Sequence, residues 1–117
     1  MSFYKEMESD SEIEAEIEEI CKQFPNSKFS ISLPLVDIDN VVINTGPVAI
    51  KCDFNCYCYS DNPRITEFYI CKKEKNITNR DLINCLIENK FDTQCNHHFL
   101  ELFEIRSLGQ VEPFFGS

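Results

Sequence analysis

The 117-residue sequence lacks tryptophan, has only three glycines, and contains no long apolar run. A secretory signal needs roughly 7–15 consecutive apolar residues near the start of the chain, and a membrane span needs about 18. Neither run occurs in the sequence, so we expect a soluble, cytoplasmic protein that does not bind membranes. The glycines, Gly46, Gly109 and Gly116, lie far apart, which excludes a glycine-rich phosphate-binding loop.

Basic side chains are scarce: the chain has 11 lysines and arginines against 20 aspartates and glutamates, a net charge of −9. Nucleic-acid affinity comes largely from basic groups that neutralise phosphates, so this balance argues against DNA or RNA as the main partner. It also argues against an anionic membrane surface. Apolar residues make up 43% of the chain, which is enough to build the core of one small domain.

The negative charge is concentrated at the start of the chain. Residues 1–20 hold eight acids and one base, a net charge of −7, whereas residues 21–117 hold twelve acids and ten bases, a net charge of −2. Apolar side chains recur there at helical spacing and form one stripe: Ile13, Ile17, Ile20 and Phe24. We therefore predict an acidic amphipathic helix or tail over residues 1–27 and a single α+β domain over residues 28–117.

The apolar stripe of this helix needs a surface to pack on, because an isolated helix of about 14 residues is marginal in water. It can pack on its own domain and leave the glutamates in solvent, which is the common fate of a charge run. Alternatively the helix docks on a protein partner or a second copy, with the stripe as its anchor. A disordered acidic tail is the third interpretation.

Alternating apolar and polar residues predict several strands in the rest of the chain. The predicted strands cover residues 29–35, 41–43, 48–58, 67–71, 97–105 and 110–115. Residues 97–105 also fit a helix, but a phenylalanine-rich segment favours a strand. Pro34 cannot donate a ladder hydrogen bond, so the first strand belongs at an edge or a bulge. Thr78 is the predicted cap of one helix. We expect a small mixed or antiparallel sheet packed on this helix and preceded by the acidic helix.

The order of elements from residue 48 onward is hairpin, helix, strand, strand. This order resembles the ubiquitin-like β-grasp, in which a mixed sheet wraps one helix, and the resemblance covers residues 48–115. No ubiquitin-type sequence motif or diglycine tail accompanies it. The resemblance therefore implies a fold and carries no site residues.

Four of the cysteines and histidines form the sharpest chemical pattern: Cys56, Cys58, Cys95 and His97. Thiolate and imidazole are ligands that zinc prefers, and four of them can close a tetrahedral site. A single residue separates Cys56 from Cys58, however, whereas structural zinc sites use two to four. The alternative, which we favour, is that the strand cysteines are small buried hydrophobes.

Cys95 also lies close in sequence to His97 and His98. A thiol beside an imidazole can become a nucleophilic thiolate, which is the basis of a third interpretation, a small cysteine-dependent enzyme. No oxyanion loop or family signature surrounds Cys95. We therefore predict no catalytic residues.

Two short stretches, residues 95–101 and 112–117, resemble small uncharacterised proteins of mimivirus-type giant viruses. The composition agrees, because 13 isoleucines, 10 asparagines and only two alanines are typical of an A/T-rich genome. The resemblance implies a place in the host cytoplasm or the virion and no particular activity.

These observations together favour a non-catalytic interaction or structural module. It would present the acidic helix and a hydrophobic sheet edge to a protein partner or to a second copy of itself. The glutamates would steer the helix toward a basic surface. Zinc, held by the four residues named above, is the one cofactor considered.

Overall fold

The structure is a computed structural model and describes residues 14–54, 65–93 and 99–116. Its two helices are α1 (residues 14–23) and α2 (Asn79–Glu88), and a short 3₁₀ helix spans Leu35–Asp37. Its seven strands are β1 (Ser30–Ile31), β2 (Val41–Thr45), β3 (Val48–Phe54), β4 (Ile65–Cys71), β5 (Lys75–Thr78), β6 (Phe99–Ser107) and β7 (Gln110–Gly116).

Five of the strands form one mixed sheet in the order β1-β6-β7-β3-β4. The pairs β1–β6 and β3–β7 are parallel, and the pairs β3–β4 and β6–β7 are antiparallel. The remaining strands, β2 and β5, form a separate antiparallel pair. The predicted α+β class with a mixed sheet is therefore confirmed.

The sequence-predicted cap starts α2. The Thr78 hydroxyl accepts a hydrogen bond from the Asp81 N–H across 3.2 Å, and the Asp81 carboxylate accepts one from the Thr78 N–H across 2.9 Å. This reciprocal capping box satisfies two amides that a helix start leaves unpaired. One face of α2 is then buried in the core through Leu82, Ile83 and Leu86, which are fully inaccessible.

The sheet packs its core side against the helices. Val48, Ile50 and Cys52 alternate along β3 and are all buried, as their spacing predicts. Val111 lies opposite Ile50 in β7 and continues the same buried face. An aromatic cluster completes this side, with ring centroids 5.4–6.0 Å apart: Phe29, Tyr69, Phe91 and Phe115.

Helix α1 packs on the same core as the sheet. Ile20 is 4% exposed and Phe24 is 5% exposed, and both belong to the one cluster of buried residues. The Glu16 carboxylate accepts a hydrogen bond from the Leu35 N–H, which ties α1 to the 3₁₀ helix. Among the described residues, α1 and the sheet therefore share one core.

Two segments differ from their sequence-based predictions. The strand predicted over residues 29–35 is confined to Ser30–Ile31, because the chain turns into the 3₁₀ helix after Pro34. Strand β5 was not among the predicted strands; it exists because it pairs with β2 and buries Ile77. Within the described ranges, neither helix has the length and apolarity that crossing a membrane would require.

Candidate interaction surface

The face of the five-stranded sheet that points away from the helices carries large apolar side chains. Four of them define what we call the uncovered face: Phe68 (56% exposed), Ile70 (53%), Leu102 (47%) and Phe114 (38%). The strand registers put all four on this side, because Leu102 lies opposite Phe114, and Phe68 and Ile70 lie opposite Lys51 and Ala49. The residues alternating with them in β3 are the buried ones.

The exposed apolar residues form two pairs at different places on this face. Leu102 and Phe114 lie on the neighbouring strands β6 and β7, where the Arg106 guanidinium is 5.5 Å from the Phe114 ring centroid. Phe68 and Ile70 lie on β4, beyond the intervening strand β3. The β4 pair is the more exposed of the two.

Strand β4 is the last strand on its side of the sheet, so one of its edges is open among the described strands. The direction of its backbone groups follows from β3. The Ala49 N–H donates to the Gly109 carbonyl across 2.8 Å, so Ala49 directs its backbone toward β7. In an antiparallel ladder, bonded and non-bonded pairs alternate. The β4 residues opposite Ala49 and Lys51 therefore direct their backbone N–H and C=O groups to the opposite side from the residues next to them in β4.

Ile70 lies opposite Ala49, and this pair shares no ladder hydrogen bonds because the Ala49 backbone groups point to β7. The N–H and C=O of Ile70 therefore point to the open edge, and those of Phe68 do so two residues earlier. The intervening Tyr69 bonds to Ile50 of β3. The residues that present backbone groups at this edge are thus the same ones that expose large apolar side chains. We call Phe68 and Ile70 the β4 edge.

The other side of the sheet offers a less regular edge. β1 covers β6 only at Phe99 and Leu100, and along this edge the remainder of β6 has no described strand beside it. That stretch carries Glu104 and Arg106 and contains two irregularities of register. Charges and bulges are devices that block pairing at an edge. β4 has an unbroken register with β3 and a single charged residue, Glu67.

A groove of about 580 Å³ lies beside the end of β4. It runs from Ile70 and Cys71 to the exposed side of α2, where Asn84 and Glu88 line it. The Lys73 ammonium and the Asp81 carboxylate form an ion pair of 2.8 Å at this groove. The groove leaves room for side chains of a strand added along β4.

The residues of the predicted anchor of the acidic helix differ in their exposure. Ile20 and Phe24 are buried in the domain's own core, so this fold does not offer them to a partner. The Arg80 guanidinium lies 5.5 Å from the Phe24 ring centroid and forms an ion pair with Asp39 across 2.7 Å. Ile17 is 51% exposed, and Ile13 lies outside the described residues.

The four candidate zinc ligands, Cys56, Cys58, Cys95 and His97, lie outside the described residues, as does His98. Within residues 14–54, 65–93 and 99–116, no three histidine, cysteine, aspartate or glutamate side chains are grouped to hold a metal ion. Cys95, which is also the candidate nucleophile, is therefore outside the described residues in that role too.

Three cysteines that the structure does describe are buried thiols. Burial, reinforced by the negative charge of Glu67, raises the pKa of Cys52 to about 12. Burial also raises the pKa of Cys85 to about 11 and shifts that of Cys71 upward. A thiol is nucleophilic as the thiolate, so burial and a raised pKa disfavour reaction of these three groups at neutral pH, which fits core residues.

Sequence reasoning did not single out Phe68, Ile70 or Leu102. β4 is apolar from Phe68 through Cys71, so alternation does not reveal which of its side chains face the core. Phe114 and Phe115 adjoin in the sequence, yet Phe114 is exposed and Phe115 packs in the aromatic cluster. The available signal was that Glu67 is the one charged residue of the predicted strand over residues 67–71.

Comparison with known proteins gives no relative: no family model, curated protein or solved structure matches the chain significantly.

Proposed function

We propose that the protein is a non-catalytic protein-interaction module that binds a protein strand at the β4 edge. One observation carries the proposal: Phe68 and Ile70 combine exposed apolar side chains with backbone groups that point to an open edge. Main-chain hydrogen bonds give affinity in strand addition, and alternating side chains give specificity. A protein partner and a second copy of the chain both fit this mode.

Physical chemistry makes such an edge costly to leave unused. An exposed strand without charges, proline or bulges is a template for pairing, and folded proteins usually block it. β6 has such blocks in Glu104 and Arg106. β4 lacks them along its exposed face, where Phe68 and Ile70 lie. An edge that is both regular and apolar is best explained by an occupant.

In this proposal, helix α1 supplies negative charge toward a partner rather than the apolar side chains that anchor it. Its exposed side carries Glu14, Glu18 and Glu19, and exposed acids raise the association rate with a basic surface. Because exposed charges are screened by salt, binding to a basic partner through this side would weaken as ionic strength rises. Ile17 is the one apolar side chain of the predicted stripe that a partner could reach among the described residues.

The test compares substitutions at matched exposed positions. Phe68→Ser removes an apolar side chain at the β4 edge, whereas Val36→Ser removes one that is 81% exposed on the 3₁₀ helix, away from the sheet. Each protein is tagged, and two properties are compared: the partner proteins that it binds and its oligomeric state. The proposal requires that wild type and Val36→Ser bind alike and that Phe68→Ser loses binding. Equal binding by all three proteins, or a monomer that binds nothing, would contradict it.

Removing residues 1–24, the direct way to test the acidic helix, would disturb the fold as well. Ile20 and Phe24 belong to the core, so lost binding by such a chain has two explanations. Charge reversal at Glu18 and Glu19, both exposed on α1, keeps the core intact. If α1 steers a basic partner, this variant binds more slowly at low salt and equally at high salt.

A zinc-binding module is the second candidate, and the strand directions favour it. β3 ends at Phe54 on the same side of the sheet where β6 begins at Phe99, because β6 runs antiparallel to β7 and β7 runs parallel to β3. One strand separates them, so their backbones are about 10 Å apart at neighbouring strand spacings of about 4.8 Å. The segments that carry the candidate ligands are attached at these two points: Cys56, Cys58, Cys95 and His97.

Metal analysis of protein purified without added metal tests this candidate. One zinc per chain that falls in Cys58→Ser and persists in Cys21→Ser would support it, because Cys21 is an exposed cysteine on α1. A zinc content near zero in the wild-type protein would reject it.

A further inference from the structure

We propose that the occupant of the β4 edge is β4 of a second copy, so that two five-stranded sheets join into one continuous sheet across a two-fold axis. This inference rests on the proposed function and deepens it by naming the partner. The evidence is the self-complementarity of the strand in hydrogen bonding, in apolar side chains and in charge.

A second copy of β4 can pair with the outward backbone groups of the first. An antiparallel arrangement that aligns Phe68 with Ile70 of the second copy brings the outward N–H and C=O of each residue opposite those of the other. The alignment of Ile70 with Phe68 of the second copy follows by symmetry, since a two-fold interface repeats every contact. Bonded pairs of this kind have Cα atoms about 5.5 Å apart.

Side-chain packing in this register is apolar against apolar. Phe68 and Ile70 lie on the uncovered face, so each Phe68 comes beside an Ile70 of the second copy on that face. Aromatic and β-branched residues opposite each other are favourable cross-strand pairs. Phe68 and Ile70 of one copy and the same two residues of the second copy then form one patch of four side chains at the dimer axis.

Charge supports the same arrangement. Lys72 and Lys73 directly follow β4, and Glu67 lies near its start. In an antiparallel pair, the end of one strand lies beside the start of the other, so both lysines of one copy approach Glu67 of the second. In this register Glu67 of one copy lies opposite Cys71 of the other, the residue that directly precedes these two lysines. A parallel arrangement would instead bring like charges together.

The groove beside β4 gives the added strand its space. Side chains of the second β4 that point to the core side would lie toward α2, over the groove lined by Cys71, Asn84 and Glu88. At the far side of the sheet, β1 is only two residues long, and the free part of β6 carries Glu104 and Arg106. The assembly therefore closes at two copies and does not extend into a filament.

A proline substitution at Ile70 distinguishes the effect of losing a backbone hydrogen bond from the effect of losing a side chain. The Ile70 N–H points away from β3, so Ile70→Pro removes an outward donor and spares the β3 ladder, the placement in which strands tolerate proline. Ile70→Ala is the matched control, because it shortens the side chain and keeps the N–H. Leu102→Lys is a second control, since it alters the uncovered face on β6, away from the β4 edge.

Sedimentation of each protein from about 10 μM to about 1 mM measures the dimer constant over the affinities expected of small interfaces. We expect wild type to dimerise, Leu102→Lys to match it, and Ile70→Ala to dimerise more weakly. Ile70→Pro should weaken the dimer about 30-fold beyond Ile70→Ala, since the two-fold loses two hydrogen bonds. Circular dichroism confirms that each variant is folded.

Three results would overturn the inference. A wild-type monomer at every concentration excludes the dimer, and equal dimerisation by Ile70→Pro and Ile70→Ala excludes pairing at this edge. A dimer that only Leu102→Lys disrupts would be formed face to face. The proposed function fails separately: a monomer that still binds another protein through Phe68 retains the module and loses only its second copy.

Discussion

Replacing Phe24 with alanine tests whether α1 is an integral part of the domain. Phe24 is 5% exposed within the core, and the Arg80 guanidinium lies 5.5 Å from its ring centroid. Truncating a buried phenylalanine costs about 3–5 kcal/mol, of which a cation–π contact near the surface supplies about 0.5–1 kcal/mol. The free energy of unfolding should therefore fall by about 3–5 kcal/mol, a large share of the roughly 5–15 kcal/mol of a typical domain.

The assay is urea denaturation followed by circular dichroism, in which a lower midpoint at an unchanged slope reports lost stability. Ile17→Ala is the matched control, because Ile17 lies on α1, which ends directly before Phe24, and is 51% exposed. We expect that control to change stability by less than about 0.5 kcal/mol. If Phe24→Ala proves as mild as Ile17→Ala, α1 does not pack on this core and the reasoning about its stripe is refuted.

Three further predictions concern the cap of α2, the loss of folding stability at low pH and the buried thiols. Thr78→Ala removes the cap and should cost about 1 kcal/mol in thermal denaturation; an unchanged melting temperature would contradict it. Burial opposes ionisation of Asp81, but hydrogen bonds from Lys73 and Thr78 hold its pKa below the ordinary 3.8. The contribution of Asp81 to stability is therefore complete above pH 3.8 and is lost as pH falls through the lower folded-state pKa. Asp81→Asn should therefore reduce the loss of stability on acidification. Alkylation at neutral pH followed by peptide mapping should label Cys21, which is exposed, in the native protein, and Cys52 only after unfolding; early labelling of Cys52 would show that its thiol is not buried.

Local patterns allowed much of the fold to be predicted. The alternation in β3 identified Val48, Ile50 and Cys52 as core residues, and the cap at Thr78 identified the start of α2. Both features depend on residues close in sequence. β5 was missed because its pairing with β2 depends on contacts between residues that are 30 or more positions apart in the sequence.

The candidate surface was harder to predict for a related reason. Whether Phe68 and Ile70 are exposed depends on which face of the sheet the helices cover, and the apolar run through β4 does not indicate it. The same limitation affected the helical stripe, where Ile17 and Ile20 look equivalent by spacing. They differ because only Ile20 packs into the core, so that Ile20 is 4% exposed and Ile17 is 51% exposed.

Amide hydrogen exchange at Phe68 and Ile70, measured in dilute and concentrated protein, tests the central claim most directly. The Tyr69 amide bonds to β3 and provides the internal reference, because its protection does not depend on a partner. If β4 pairs with a second copy, the Phe68 and Ile70 amides exchange rapidly when dilute and become protected as concentration rises, while Tyr69 stays constant. Rapid exchange of both amides at every concentration would contradict the claim.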